Sequence, residues 1–246
     1  MQRFYNQYFP TLEENFISKD KDFINQLVKV LRSKPWDNII LFNGEDDFDY
    51  IYEIWNLEKR SVLLLQKEKI EKNSISKQNI NLFQSLPNKL SKIELILQKW
   101  VEIWINNFYF FQAERSQNFP ISENKIERLK KIIIEATEQS GQNKIAWLKF
   151  LENSISSDIL LEKCKQNWDK NLTLFFHTKN NNSKNLKDLC TKNYKNINIF
   201  IWPEWGFSSE EIEIFLENNF IPVHLWKNIL RTETVWMVVG FYFRQS

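Results

Sequence analysis

Glycine is the residue this chain most lacks. It occurs 4 times in 246 residues, where the usual share of about 7% would give roughly 17. Cysteine is scarcer still. Cys164 and Cys190 stand alone, without a CxxC pair or a histidine at ligand spacing, which argues against a disulfide framework and a zinc site. No apolar run approaches the roughly 20 residues needed to span a bilayer. The start, Met1-Gln2-Arg3-Phe4-Tyr5, lacks the charged segment and apolar stretch of a signal peptide. An excess of one charge is missing too: 33 Lys and Arg face 31 Asp and Glu, for a net of +2. The first 75 residues are slightly acidic and the rest slightly basic, so any contact with nucleic acid must rest on local patches. At 43% hydrophobic and 26% charged, the expectation is a soluble cytoplasmic protein with no membrane span and no metal. Its length suits one large domain or two small ones.

Tryptophan is present in excess, 10 times, and several copies stand where backbone chemistry asks for glycine. Lys34-Pro35-Trp36-Asp37 reads as a turn with Pro second and Trp third, and a type II turn wants Gly at its third position. Trp202 and Trp205 bracket Pro203-Glu204 between an apolar run and a helix signal, a poor place for two indoles. Some bacteria read UGA as glycine, while common translation tables give stop or tryptophan. The abundant Asn, Lys and Ile suit an A/T-rich genome of that kind. The expectation is that many of these tryptophans are glycine codons; the alternative is that they are core aromatics.

Along the chain two rhythms alternate. The helical spacing of Asp22 to Leu31 is followed by short β-rich runs at Asn38–Phe42, Phe48–Ile54 and Ser61–Gln66, separated by turn signals such as Asn43-Gly44. That pattern predicts a small barrel or curled sheet. From about Ser76 helices and strands alternate. Helices are expected over Leu90–Ile105, with Ile93, Leu97, Val101 and Trp104 on one face, over Glu123–Gln139 after Ser122, and over Thr232–Phe243. Phe108–Phe111, Leu172–Phe176, Ile197–Ile201 and Ile221–Leu225 read as strands, and Ser208-Ser209-Glu210-Glu211 has capping-box spacing. Such alternation argues an α/β domain with a parallel sheet.

Familiar catalytic sets are absent: no GxxxxGK[ST] loop, no GxSxG elbow, no HExxH. His177 and His224 each end a predicted strand, and a structural role is the simpler reading of both. Two polar clusters carry more: Ile201-Trp202-Pro203-Glu204-Trp205-Gly206-Phe207-Ser208 and Leu225-Trp226-Lys227-Asn228-Ile229-Leu230-Arg231-Thr232-Glu233-Thr234. Both fall where a strand gives way to a helix, so free backbone N–H groups would face a crevice. From spacing alone, ordinary loop capping is the better reading of both.

With glycine in place of tryptophan these clusters become Ile-Gly-Pro-Glu-Gly-Gly-Phe-Ser and Leu-Gly-Lys-Asn-Ile-Leu-Arg-Thr-Glu-Thr. They resemble the two most diagnostic motifs of the ribosomal RNA small-subunit methyltransferase E (RsmE) family. Further matches follow in order: Lys29-Val30-Leu31-Arg32 with Lys34-Pro35-Trp36-Asp37, Lys92-Ile93-Glu94 through Trp104, Glu114-Arg115-Ser116, Glu135-Ala136-Thr137-Glu138-Gln139-Ser140, and Leu174-Phe175-Phe176-His177. Two departures bear on RNA contacts rather than on fold. Gln142 stands where the family usually has Arg, and a His common in the first helix is missing near Asn25-Gln26.

The resemblance implies a PUA-like β-barrel for RNA over residues 1–75 and an α/β SPOUT methyltransferase domain with a trefoil knot over 76–246. It implies S-adenosyl-L-methionine as cofactor, 16S ribosomal RNA of the small subunit as substrate, methylation of a uridine at N3, and a homodimer. The cofactor is expected against Phe176, His177, Ile201, Trp202, Pro203, Glu204, Trp205, Gly206, Leu225, Trp226, Asn228, Ile229 and Leu230. Uracil N3 must lose its proton, and the charge that develops on the carbonyl oxygens needs a cation. Arg231 is expected in that role, with Glu233 or Glu204 accepting the proton or orienting Arg231; an ion pair at a helix start is the structural alternative. Arg32 and Arg115 are expected to touch RNA phosphates, if they are not simply solvated. The rival to an enzyme is a non-catalytic RNA-binding or ribosome-assembly protein on the same scaffold; a ribose 2′-hydroxyl methyltransferase is a third reading.

Overall fold

A computed structural model describes residues 1–7, 9, 15–72, 78–116, 120–151, 164, 170–176, 183–189, 194–202, 205–224 and 232–245. The chain divides into two compact units, Met1–Ile75 with Thr137–Ile145, and Ser76–Ala136 with Ala146–Ser246.

The first unit is built on a five-stranded sheet. Its strands are β1 (Gln2–Tyr5), β2 (Asn15–Ser18), β3 (Asn38–Phe42), β4 (Phe48–Leu57) and β5 (Val62–Glu71), in the order β1-β3-β4-β5-β2. β1 runs parallel to β3 and the other pairs are antiparallel. The β4–β5 ladder slips register at Ile51/Tyr52 and again at Ile54/Asn56, irregularities that bend and twist a ribbon. Helix α1 (Lys21–Asn25) starts because the Asp20 carboxylate accepts from Asp22 N and Phe23 N at 2.8 and 3.1 Å. It continues as a wider π-helical turn over Gln26–Val30. Phe23, Ile24 and Leu27 are thereby buried with Phe4, Tyr52 and Leu64 in one core.

The short segment Thr137–Ile145 joins this unit through polar contacts that local sequence cannot announce. Buried Arg3 pairs with Asp49 and donates to Gln142 O and Asn143 Oδ1, both at 2.9 Å. Glu138 accepts from Tyr5 N at 2.8 Å, and Lys72 donates to Gly141 O at 3.0 Å. Gly44, at φ 83°, lies so close that a Cβ would stand 2.8 Å from Ile145 Cγ1 and from Tyr5 Cε2.

The second unit carries a seven-stranded sheet. Its strands are β6 (Asn79–Ser85), β7 (Asn107–Phe111), β8 (Trp147–Phe150), β9 (Asn171–Phe176), β10 (Lys184–Asn185), β11 (Asn196–Ile201) and β12 (Ile221–His224). The order is β10-β12-β9-β11-β6-β7-β8, and every pair is parallel. The described helices are α2 (Leu90–Glu102), α3 (Glu123–Ser140), α4 (Leu186–Leu189), α5 (Ser209–Glu217) and α6 (Thr232–Gln245). The helical face of α2 buries Ile93, Leu97 and Val101 as the spacing predicts, but the helix ends at Glu102, so Trp104 lies beyond it.

Two side-chain rows tie the central strands together. Phe83 is stacked between Tyr109 and Phe200, with ring centroids 4.6 and 4.5 Å away. An amide chain runs alongside: Asn107 donates to Asn81 at 2.7 Å, Asn81 to Asn198 at 2.9 Å, and Asn198 to Thr173 at 3.0 Å. Each buried amide thus finds a partner, so polar residues cost little inside this sheet.

Candidate functional site

The topology of the second sheet singles out one edge. From β6 the chain runs outward through β7 and β8, whereas β11, β9 and β12 lie on the other side of β6. Where strand order reverses in a parallel sheet, the loops at the carboxyl ends diverge and leave a crevice. Ser85, Phe111, Phe176 and Ile201 end the four strands on either side of that point.

The loop after β11 is built by local chemistry. Ser208 Oγ accepts from Glu211 N at 3.2 Å, and Glu211 Oε2 accepts from Ser208 N at 2.8 Å, so the capping box opens α5 as its sequence predicts. Gly206, two residues earlier, has φ 76°, and nothing lies within 4 Å of where its Cβ would be. The dihedral there, rather than the space, calls for glycine.

This loop is fastened to the one after β7. Glu211 Oε1 accepts from Glu114 N at 2.9 Å, and Arg115 Nη1 donates to Trp205 O at 3.4 Å. Ser116 Oγ accepts from Ala113 N at 3.1 Å and is hydrogen-bonded to Ser85 Oγ at 2.5 Å. The ends of β6, β7 and β11 therefore converge on one polar network over an apolar floor.

The expected site residues divide as follows. Phe176 and Ile201 are buried at the ends of β9 and β11. Trp202 is half-buried, its ring centroid 6.4 Å from that of Phe176. Trp205 is 73% exposed. Arg115 is exposed and reaches Trp205, so the structure brings this part of the set together. Arg32 is exposed in the first unit, with a left-handed φ of 53°. Glu233 falls in the first turn of α6. His177, Pro203, Glu204, Leu225, Trp226, Asn228, Ile229, Leu230 and Arg231 lie outside the described residues. His224 ends β12 with its Nδ1 2.9 Å from Ser183 Oγ, in keeping with a structural role. Sequence reasoning missed Ser85, and it took Glu211 for a helix cap alone. Neither had a local signal, because each acts on a loop far away in the chain.

Tyr109, beneath this floor, has its phenol pushed above the usual value of 10.0, first by burial and then by the Cys164 thiol. It stays neutral and serves as packing.

Comparison with known proteins agrees with this architecture. Residues 74–241 match the RNA methyltransferase domain family. A ribosomal RNA small subunit methyltransferase E from Buchnera aphidicola subsp. Acyrthosiphon pisum is 30% identical over 236 residues, covering 95% of this chain and 86% of that protein. One from Mesomycoplasma hyopneumoniae is 30% identical over 224 residues, covering 90% and 91%. A crystal structure of a ribosomal RNA small subunit methyltransferase E from Neisseria gonorrhoeae, bound to S-adenosyl methionine, superposes with a TM-score of 0.84 at 25% identity, covering 100% of this chain and 97% of that one. Shared along nearly the whole length, sequence and fold lead to one conclusion: this chain belongs to the ribosomal RNA small subunit methyltransferase E family.

Proposed function

We propose that this protein is an S-adenosylmethionine-dependent methyltransferase that acts on N3 of a uridine in 16S ribosomal RNA of the small subunit, in the cytoplasm. The observation that carries this reading is the whole-chain likeness to a relative bound to that cofactor; the reversal of strand order at β6 is in keeping with it. Residues 1–75, with the Thr137–Ile145 segment that belongs to the same unit, serve as a PUA-like RNA-binding domain. The rest of 76–246 is the methyltransferase, its C-terminal segment threaded as a trefoil knot, and two copies pair as a homodimer.

The described part of the site fits the cofactor. Phe176 and Ile201 form an apolar wall suited to the flank of an adenine ring. Residues 204–206 and 225–230 would supply backbone N–H groups to its polar edge. When bound, the cofactor supplies an electrophilic methyl group on a sulfonium. The protein's own task is the uracil, which must leave its stack to enter the crevice. Arg231 would stabilise the negative charge that spreads over the carbonyl oxygens once N3 loses its proton. Glu233 or Glu204 would take that proton or hold Arg231, while Arg32 and Arg115 would meet phosphates.

The test is transfer of labelled methyl from S-adenosylmethionine to small subunits that lack the modification, followed by nucleoside identification. Label in 3-methyluridine is expected. Label in a ribose-methylated nucleoside would refute the N3 assignment. No label from folded protein that binds small subunits would favour a non-catalytic RNA-binding role.

A further inference from the structure

Three helices of this chain end in the same way, and one of them ends on an ill-suited residue. At the close of α5, Asn219 N donates to Leu216 O and Phe220 N to Phe215 O, both at 2.9 Å, with Asn219 at φ 58°. These are the paired bonds of a Schellman cap, whose left-handed residue is normally Gly and sometimes Asn. At the close of α3, Gln142 N donates to Thr137 O at 3.2 Å, and the left-handed residue is Gly141, φ 76°. At the close of α2, Trp104 N donates to Val101 O at 2.9 Å and Ile105 N to Trp100 O at 3.1 Å, the same pair of bonds. There the left-handed residue is Trp104, φ 67°. A Cβ in that conformation crowds the following carbonyl oxygen, and a bulky aromatic has no polar side chain to compensate.

A second, unrelated place repeats the anomaly. Asp37 N donates to Lys34 O at 3.2 Å, closing the Lys34–Asp37 turn, and Trp36 occupies its third position at φ 77°. Pro35 in second position and a positive φ in third define a turn of the type II kind, which demands Gly or Asn at the third. Trp36 is 61% exposed and meets the Trp55 ring edge-on at 4.6 Å between centroids, a small return for the strain.

The chain is not indifferent to where glycine goes. Gly44, Gly141 and Gly206 all have positive φ, and a Cβ on Gly240 would collide with the side chain of Ile103. Three of the four glycines thus stand where the backbone calls for glycine, and the fourth where a Cβ would force Ile103 to move. Among the described residues, the other non-glycines with positive φ are Asn219, of a tolerant type, and Arg32. Two of the remaining glycine-demanding positions hold the residue that is in excess.

We propose that positions 36 and 104 are glycine in the working protein, their codon being read there as glycine rather than tryptophan. Wherever the same codon encodes positions 202, 205 and 226 of the candidate site, glycine stands there too. The first part stands on backbone geometry alone; the second deepens the proposed function and rests on it. Without the indoles of Trp202 and Trp205, one half-buried against Phe176 and one projecting into solvent, the strand-to-helix loop presents bare backbone. Its N–H groups can then approach a ligand as no side-chain-bearing loop allows.

Mass spectrometry of peptides from the protein made in its own cells reads positions 36 and 104 directly. Glycine at both is expected; tryptophan at either overturns the proposal. A second measurement uses recombinant protein. W36G and W104G should each raise Tm by about 2–4 °C, and W104A should raise it less than W104G, because alanine keeps the Cβ. Equal melting of W104A and W104G would overturn the strain argument. For the site, chains with glycine at 202, 205 and 226 should bind S-adenosylmethionine more tightly than the sequence as written, and equal or weaker binding overturns that part. None of these readouts requires methyl transfer. Native glycine at 36 and 104 in a protein that transfers no methyl group would uphold this inference and sink the proposed function.

Discussion

The Glu211 carboxylate holds two loops at once: one oxygen accepts from Glu114 N at 2.9 Å and the other from Ser208 N at 2.8 Å. The residue is 6% exposed, so water cannot replace either bond. Glu211→Ala should therefore cost about 1–3 kcal/mol in urea unfolding, a lost cap together with a stranded N–H. Glu211→Gln keeps an acceptor for one partner and should cost less. Because the same bonds fasten the loops after β7 and β11, Glu211→Ala should also weaken S-adenosylmethionine binding. Unchanged stability with unchanged affinity would show that the junction carries no weight.

Arg231 supplies the sharpest test of the chemistry. Removing a group that meets charge only in the transition state lowers kcat without affecting the ground state. Arg231→Ala is expected to reduce methyl transfer by about 10²–10³-fold and to leave S-adenosylmethionine affinity as it was. A parallel loss of cofactor affinity would move Arg231 from chemistry to binding.

How much of this could be read in advance depended on how local the signal was. The capping box of Ser208 and Glu211 lies within a few residues, and the spacing predicts the start of α5. The runs over β9 and β11 are continuously apolar because both strands lie inside the sheet. β6, which pairs with β11 and β7, escaped notice. Asn79-Ile80-Asn81-Leu82-Phe83-Gln84-Ser85 reads half polar, and the partners of Asn79 and Asn81, the amides of Asn107, Asn196 and Asn198, come from adjacent strands far away in the chain. The attachment of Thr137–Ile145 to the first unit was equally silent, since Arg3 and Gln142 are 139 residues apart. The motif at 202–206 was legible as a motif, yet its link to Arg115 needed the fold.

Tyr109 gives a pH dependence with a definite sign. Its folded pKa lies above the ordinary 10.0, through burial first and the Cys164 thiol second. A group held protonated by the fold contributes stability that is complete below its unfolded pKa and is lost as pH rises through the folded value. Stability should thus decline from about pH 10 upward. Tyr109→Phe keeps the ring stacked on Phe83 and removes the ionisation, so its stability should fall less steeply over that range. Identical slopes for the two proteins in urea unfolding would rule the contribution out.

Arg32 separates stability from function. It is exposed, follows the π-helical turn, and has φ 53°, a conformation that arginine adopts at a cost. An exposed cation on a strained backbone is a candidate for function, and a phosphate contact is the role expected of Arg32. Arg32→Gly should relieve the strain and raise stability by about 1 kcal/mol. The same change should weaken binding to small-subunit RNA and lower the salt slope of that binding by about 1. Arg32→Ala loses the charge but retains the Cβ, so it should weaken binding equally without the gain in stability. Binding and salt slope unchanged in both variants would exclude Arg32 from the RNA interface, and equal stability of the two would show that its backbone carries no strain.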